Sequence, residues 1–129
     1  MTVMTDAGMR LHFIEPLPGF ENEDYTLAPI DEHGLLYSLR SIEEPAVRFV
    51  LAAAPAFFPD YLPPLAGALA EPLGSEEVEL LVILTVGQGL QDATANLRAP
   101  VAVARSTSRA VQVILDDDTL SMRQPLLSQ

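Results

Sequence analysis

Apolar and polar residues alternate along this chain in short stretches, and prolines or glycines end most of them. Met9, Leu11 and Phe13 fall on one side of an extended segment, with Arg10 and His12 on the other. That is the period of a strand with one buried face. Pro16-Leu17-Pro18-Gly19 then supplies turn chemistry. A second strand is expected over Tyr25–Ile30, reversed by Asp31-Glu32-His33-Gly34 into a third over Leu35–Ile42, the two forming a hairpin. Ser41-Ile42-Glu43-Glu44 has capping-box spacing, but Pro45 disfavours the helical region at Glu44, so a single turn is expected.

Further strands are expected over Ala46–Ala53, Val78–Val86, Thr94–Leu97, Val101–Arg105 and Ala110–Leu115. Val78–Val86 is a near-continuous apolar run, which suits a central strand buried on both faces. Pro100 implies an edge or a bulge between two of these strands. The proline-rich stretch from Pro55 to Gly74 cannot be a central strand; within it only Leu65–Glu71, after Pro64, can make two helical turns. The tail is expected to pack through Met122 and Leu126. Eight or so short strands at regular spacing predict an all-β fold, a small, mostly antiparallel barrel or compact sandwich with short helical turns. One domain over residues 1–129 is expected, ordered from about residue 9 to 126.

Composition narrows the function classes. The formal net charge is −11, and all seven basic side chains are arginines. Such a surface repels phosphate backbones and anionic membranes and attracts a basic protein, with screening by salt. Acidity that merely keeps a small apolar protein soluble is the plainer reading. No cysteine is present, which fits a reducing compartment and removes thiolate ligands. The polar first ten residues carry no secretory signal, and the longest apolar run is too short to span a bilayer, so a cytoplasmic location is expected.

No catalytic constellation stands out. His12 alternates with core positions and reads as a solvent-face residue, and His33 sits in a turn. Neither has a partner at metal-ligand spacing. Asp116-Asp117-Asp118 lacks the alternating ligands, glycine and closing glutamate of a calcium loop. Gly87-Gln88-Gly89 lacks the rest of a phosphate loop. No cofactor is expected. A small enzyme would require a cleft where His12 or His33 meets a carboxylate. A small-ligand barrel would require a pocket lined by Phe13, Phe49 and Ile83.

Three features suit a protein interface. Ala56-Phe57-Phe58-Pro59-Asp60-Tyr61 places three aromatics in a proline-stiffened loop, which can present anchors to a partner or plug one end of a barrel. Asn96–Val103, interrupted at Pro100, can be an exposed edge open to a partner's strand. Asp60, Glu76, Glu77 and Glu79 add acid nearby.

In order along the chain, Leu39-Arg40-Ser41 with Glu43-Glu44-Pro45 and Phe49, then Phe58-Pro59-Asp60-Tyr61, then Asn96-Leu97-Arg98-Ala99-Pro100 form a set that resembles the FliW flagellar assembly factors. Pro18–Glu21 and Gln112–Leu115 also fall where that family has a turn and a strand. The resemblance runs from about Leu11 to about Pro125. It implies a small, mostly antiparallel β-barrel-like fold and a binding protein, not an enzyme. It implies two partners, flagellin and the basic translational repressor CsrA, exchanged so that flagellin level governs flagellin translation. Phe57, Asp60, Tyr61, Asn96, Leu97 and Pro100 are the family-defining positions, as partner contacts or as shapers of the fold; Glu76 and Glu77 are the expected acidic contacts for CsrA. Truncating Tyr61 or Leu97 is expected to weaken flagellin binding without unfolding the chain. A monomer is expected.

Overall fold

The computed structural model describes residues 8–15, 17, 22–61, 71–75 and 77–126. Among the described residues nine strands form one sheet: β1 (Met9–Phe13), β2 (Asp24–Pro29), β3 (Leu36–Ser41), β4 (Arg48–Ala53), β5 (Glu79–Thr85), β6 (Thr94–Ala95), β7 (Val101–Ala104), β8 (Arg109–Gln112) and β9 (Gln124–Pro125). The order β4-β3-β2-β1-β8-β7-β5 closes on itself because β5 also pairs with β4, giving a seven-stranded barrel. β6 and β9 branch from the far half of β5. The all-β, mostly antiparallel expectation is met. Among the described pairings one is parallel, β1 with β8, in the register His12↔Arg109 and Phe13↔Ala110.

The alternation read from the sequence is the alternation between lumen and exterior. Leu11, Phe13, Tyr25, Leu27, Leu39, Leu51, Leu81, Val101 and Val103 all point inward and are fully or almost fully buried. Phe13 and Tyr25 meet edge to face with ring centroids 5.2 Å apart, a favoured aromatic geometry. The Tyr25 hydroxyl is buried with no hydrogen-bond partner among the described residues. Its pKa is raised, first by burial and then by the nearby Glu44 carboxylate.

Two apolar layers lie outside the wall. Val82, Leu84, Tyr61, Ala95, Leu97 and Leu126 form one against β4 and β5. Leu73, Ala102, Ala104 and Val111 form the other against β7 and β8. These layers explain why Val78–Val86 and Val101–Ala104 read as unbroken apolar runs: both faces of the wall are covered there.

Turns follow their chemistry. The Asp31 carboxylate accepts from the backbone N–H groups of Leu35 and Leu36 at 3.0 and 2.9 Å, and Gly34 takes the positive φ (71°) the reversal needs. The backbone bond from Leu36 is the main cause that holds the Asp31 carboxyl below its ordinary pKa. Ser41 Oγ accepts from Glu44 N–H at 3.1 Å, half of the expected capping box. Glu44 does not reach back; its carboxylate accepts from Asn22 Nδ2 at 2.9 Å.

Two expectations need correction, and a third falls outside the described residues. Ala54–Phe57 forms a helical turn, α1, where only a proline-broken loop was expected; Pro55 occupies its first turn, where its missing N–H costs nothing. The tail adds β9, and Leu126 is buried as expected, but Met122 is 57% exposed. The expected Leu65–Glu71 helix falls almost wholly outside the described residues; residues 71–73 are helical and end at Gly74, with φ 74°.

Candidate functional site

The two segments that defined the resemblance are brought together by one hydrogen bond. α1 runs into the turn Phe58–Tyr61, where Tyr61 N–H donates to the Phe58 carbonyl at 3.0 Å. The Tyr61 side chain then folds under the wall, and its hydroxyl donates to the Leu97 carbonyl at 2.5 Å. Both residues are buried, at 9% and 8% exposure. Burial pushes the Tyr61 phenol up to about 12. Phe57 and Phe58 are half-buried against the same layer, and Asp60 is exposed at the tip of the turn.

Residues 96–100 are the insertion that Pro100 announced. β5 pairs with β7 up to Leu81↔Val101 and resumes with β6 at Leu84↔Ala95, so five residues oppose the two between Leu81 and Leu84. This wide bulge is held from within and behind. Asn96 Oδ1 accepts from Arg98 N–H at 3.0 Å, and Leu97 N–H donates to the Ser121 carbonyl at 2.9 Å. Arg98 Nε reaches the Leu120 carbonyl at 2.7 Å. Pro100 is buried, and its carbonyl accepts from Val113 N–H at 2.9 Å.

This arrangement bears on two expectations. Asn96–Val103 is not an exposed edge, because β7 is hydrogen-bonded to β5 on one side and β8 on the other, and all four of its residues are buried. Tyr61 and Leu97 are both buried in the outer layer, which counts against the expectation that either can be truncated with folding intact. Tyr61, Leu97 and Pro100 are buried in the wall, Phe57 and Asn96 are half-buried, and Asp60 is the exposed member of the set.

The expected acidic contacts are not part of that assembly. Glu76 lies outside the described residues. Glu77 is exposed, its N–H bonded to Ser75 Oγ at 3.0 Å, and among the described residues no hydrogen bond or ion pair joins it to Tyr61 or Leu97. Glu79 is already engaged in a two-pronged pair with Arg105, at 2.8 and 3.0 Å.

That pair seals one mouth of the barrel. Arg105 also donates to the Tyr37 hydroxyl at 3.0 Å, and its guanidinium carbon stands 5.5 Å from the Tyr37 ring centroid. The hydrogen bonds to Glu79 are the main cause that holds the guanidinium more firmly protonated. The groove outside this seal, about 660 Å³, is bordered by Met9, Leu27, Pro29 and the 31–34 turn. At the opposite end, where β1, β3, β5 and β8 finish, a smaller groove of about 270 Å³ is lined by Leu17, Phe49, Ile83, Asn96, Ala99, Gln112 and Ile114. Of the pocket lining expected from the sequence, Phe49 and Ile83 are here and Phe13 is wholly buried instead; Ile114, an apolar residue two positions before three aspartates, was not anticipated.

Residues 2–126 match the family model described as FliW protein. The chain belongs to the FliW family. It is 36% identical over 114 residues to the flagellar assembly factor FliW of Shouchella clausii, covering 85% of this chain and 78% of that one. With the Bacillus licheniformis protein of the same name it shares 35% over 118 residues, covering 88% and 82%. A crystal structure of the flagellar assembly factor FliW superimposes with a TM-score of 0.80 at 31% identity, over 93% of this chain and 86% of that one. The relatives of this FliW-family chain are thus flagellar assembly factors, and the barrel is their fold.

The remaining chemistry of the FliW-type barrel is modest. His12 Nδ1 lies 3.0 Å from Asp24 Oδ1 across β1 and β2, and His12 borders an outer groove of about 360 Å³ with Arg10, Thr107, Ser108 and Arg109, whose lining does not include Asp24. Among the described residues no group of three or more histidines and acids is placed to hold a metal. Asp117 instead accepts from the Thr119 hydroxyl at 2.6 Å, the leading cause of its lowered pKa. The interior that a small-ligand barrel would leave open is occupied by Leu11, Phe13, Tyr25, Leu39 and Leu51, and Phe13 is wholly buried. No helix among the described residues is long and apolar enough to cross a membrane.

Proposed function

We propose that this chain binds flagellin in the bacterial cytoplasm and antagonises the translational repressor CsrA, acting as a monomeric binding protein and not as an enzyme. The observation that carries this reading is the match to the FliW family over residues 2–126. The physical support is charge: −11 over 129 residues, with no lysine, suits a basic partner and disfavours direct contact with RNA. Partner switching then needs only that the two complexes exclude or disfavour one another. Flagellin binding frees CsrA to repress; flagellin scarcity leaves CsrA held off the message.

Co-purification of the tagged protein with the flagellin and CsrA of its own organism, at low and at moderate salt, tests the proposal. Capture of flagellin, with CsrA released as flagellin is added, is the expected result. Retention of neither would reject it.

A further inference from the structure

The two mouths of the barrel carry opposite surfaces, and one of them is built to receive something. At the sealed mouth Arg105 takes Glu79 and Tyr37 and Asp31 takes its own backbone, while Glu32 and His33 stand exposed beside the groove. At the open mouth Leu17, Phe49, Ile83, Ala99 and Ile114 line the groove, together with Asn96 and Gln112, whose amides bond to the backbone of Arg98 and Ala99; Ile114 stands 65% exposed on the rim, with Ile42 43% exposed at the same end. Isolated exposed apolar residues mean little, but here they border a concave apolar floor of Phe49, Ile83 and Ala99.

The strand ends place acid around that floor. Glu15 follows β1, Glu23 and Asp24 enter β2, Glu43 and Glu44 leave β3, and Asp116, Asp117 and Asp118 follow Ile114. The basic groups at this end are fewer. Arg40 near the end of β3 lies opposite Arg48 at the start of β4, both exposed; Arg98 is turned back onto the Leu120 and Asp118 carbonyls, and Arg10 and His12 reach only Asp24. Glu15, Glu43, Glu44 and the three aspartates are exposed. An apolar cup inside an anionic ring has the chemistry of a receptor for an apolar side chain carried on a lysine- or arginine-rich segment.

We propose that this mouth is the docking site for the basic one of the two protein partners, the cup taking an apolar anchor and the ring taking the flanking positive charge. The inference rests on the proposed function in one respect, that a basic protein partner exists. It also sets Glu77, on the segment leading into β5 at the sealed end, outside the contact.

Binding of CsrA to the full chain is measured at low and at moderate salt for wild type, Ile114→Asn, the double reversal Glu43→Lys with Asp116→Lys, and Ile30→Asn at the sealed mouth as control, with thermal unfolding of each. Ile114→Asn, which puts an amide in place of the apolar rim of the cup, should weaken binding about threefold to tenfold. The double reversal should weaken it at low salt and flatten its salt dependence. Ile30→Asn should bind as wild type. If wild type binds CsrA and the Ile114 and double variants, still folded, bind equally well, the site lies elsewhere and the inference falls while the function stands. If Ile114→Asn abolishes self-association of the chain and leaves CsrA binding intact, the mouth is an interface between copies and the inference is overturned. If wild type binds neither CsrA nor flagellin, the functional reading fails and takes the inference with it.

Discussion

The layer that joins Tyr61 to Leu97 and the mouth bordered by Ile114 are both formed from the strongly patterned part of the chain, yet they do different work. The first is buried, hydrogen-bonded and made of the residues that mark the family. The second is exposed, apolar and ringed by acid. The contrast teaches that the most recognisable residues of this chain are recognisable because the barrel needs them. A five-against-two bulge in the wall leaves its buried side chains little room to change volume, whereas the rim of a surface cup leaves more.

That contrast can be broken by substitution. Tyr61→Ala should cost about 3–5 kcal/mol of stability, as removal of a buried aromatic does, read as a lowered midpoint in urea. Leu97→Ala should follow at about 2–4 kcal/mol. A loss below 1 kcal/mol in either would show that the outer layer is loose and return both residues to the list of surface contacts. Tyr61→Phe isolates the hydrogen bond and should cost about 1 kcal/mol, chiefly by stranding the Leu97 carbonyl. The same variant tests the phenol. Its folded-state pKa, about 12, lies above the ordinary 10.0, so its stabilisation is complete below pH 10.0 and is lost as pH rises toward 12. Wild type should therefore lose stability over that alkaline window more steeply than Tyr61→Phe, in a pH series of denaturation curves.

Smaller effects sharpen the comparison between the two mouths. Arg105→Ala should cost about 1 kcal/mol, because its pair with Glu79 is two-pronged yet close to half exposed. Raising salt should erode part of that difference. Ile114→Asn should change stability by less than about 0.5 kcal/mol, since the side chain is 65% exposed. A large loss there would mean that Ile114 belongs to the core.

Much of the barrel was legible because its strands obey period two and its breaks are prolines and glycines. The strand from Met9 through Phe13 was found, though its end was set at Glu15-Pro16, and the Asp31–Gly34 reversal, the two-faced burial shown by Leu81 and Val82 and the break before Val101 follow from local chemistry alone. What escaped is non-local. β9 is two residues long and exists only because β6 offers it an edge. α1 was hidden by Pro55, which reads as a breaker unless its position in the first turn is known. The pairing of β1 with β8, and hence closure, has no signature in either segment. The site was half legible: the ordered motifs located Tyr61 and Leu97, but burial, which decides their role, depends on β5, β6 and the tail meeting them.

The parallel pairing of β1 with β8 has a consequence for synthesis. His12 and Phe13 find their partners only at Arg109 and Ala110, so the ring stays open until nearly the whole chain is available. Contacts of that separation slow folding and leave strand edges unprotected meanwhile. During translation the β1–β4 meander can assemble early, but its β1 edge and apolar lumen stay uncovered until β8 arrives. A nascent chain of this kind is most vulnerable to aggregation just before it is finished.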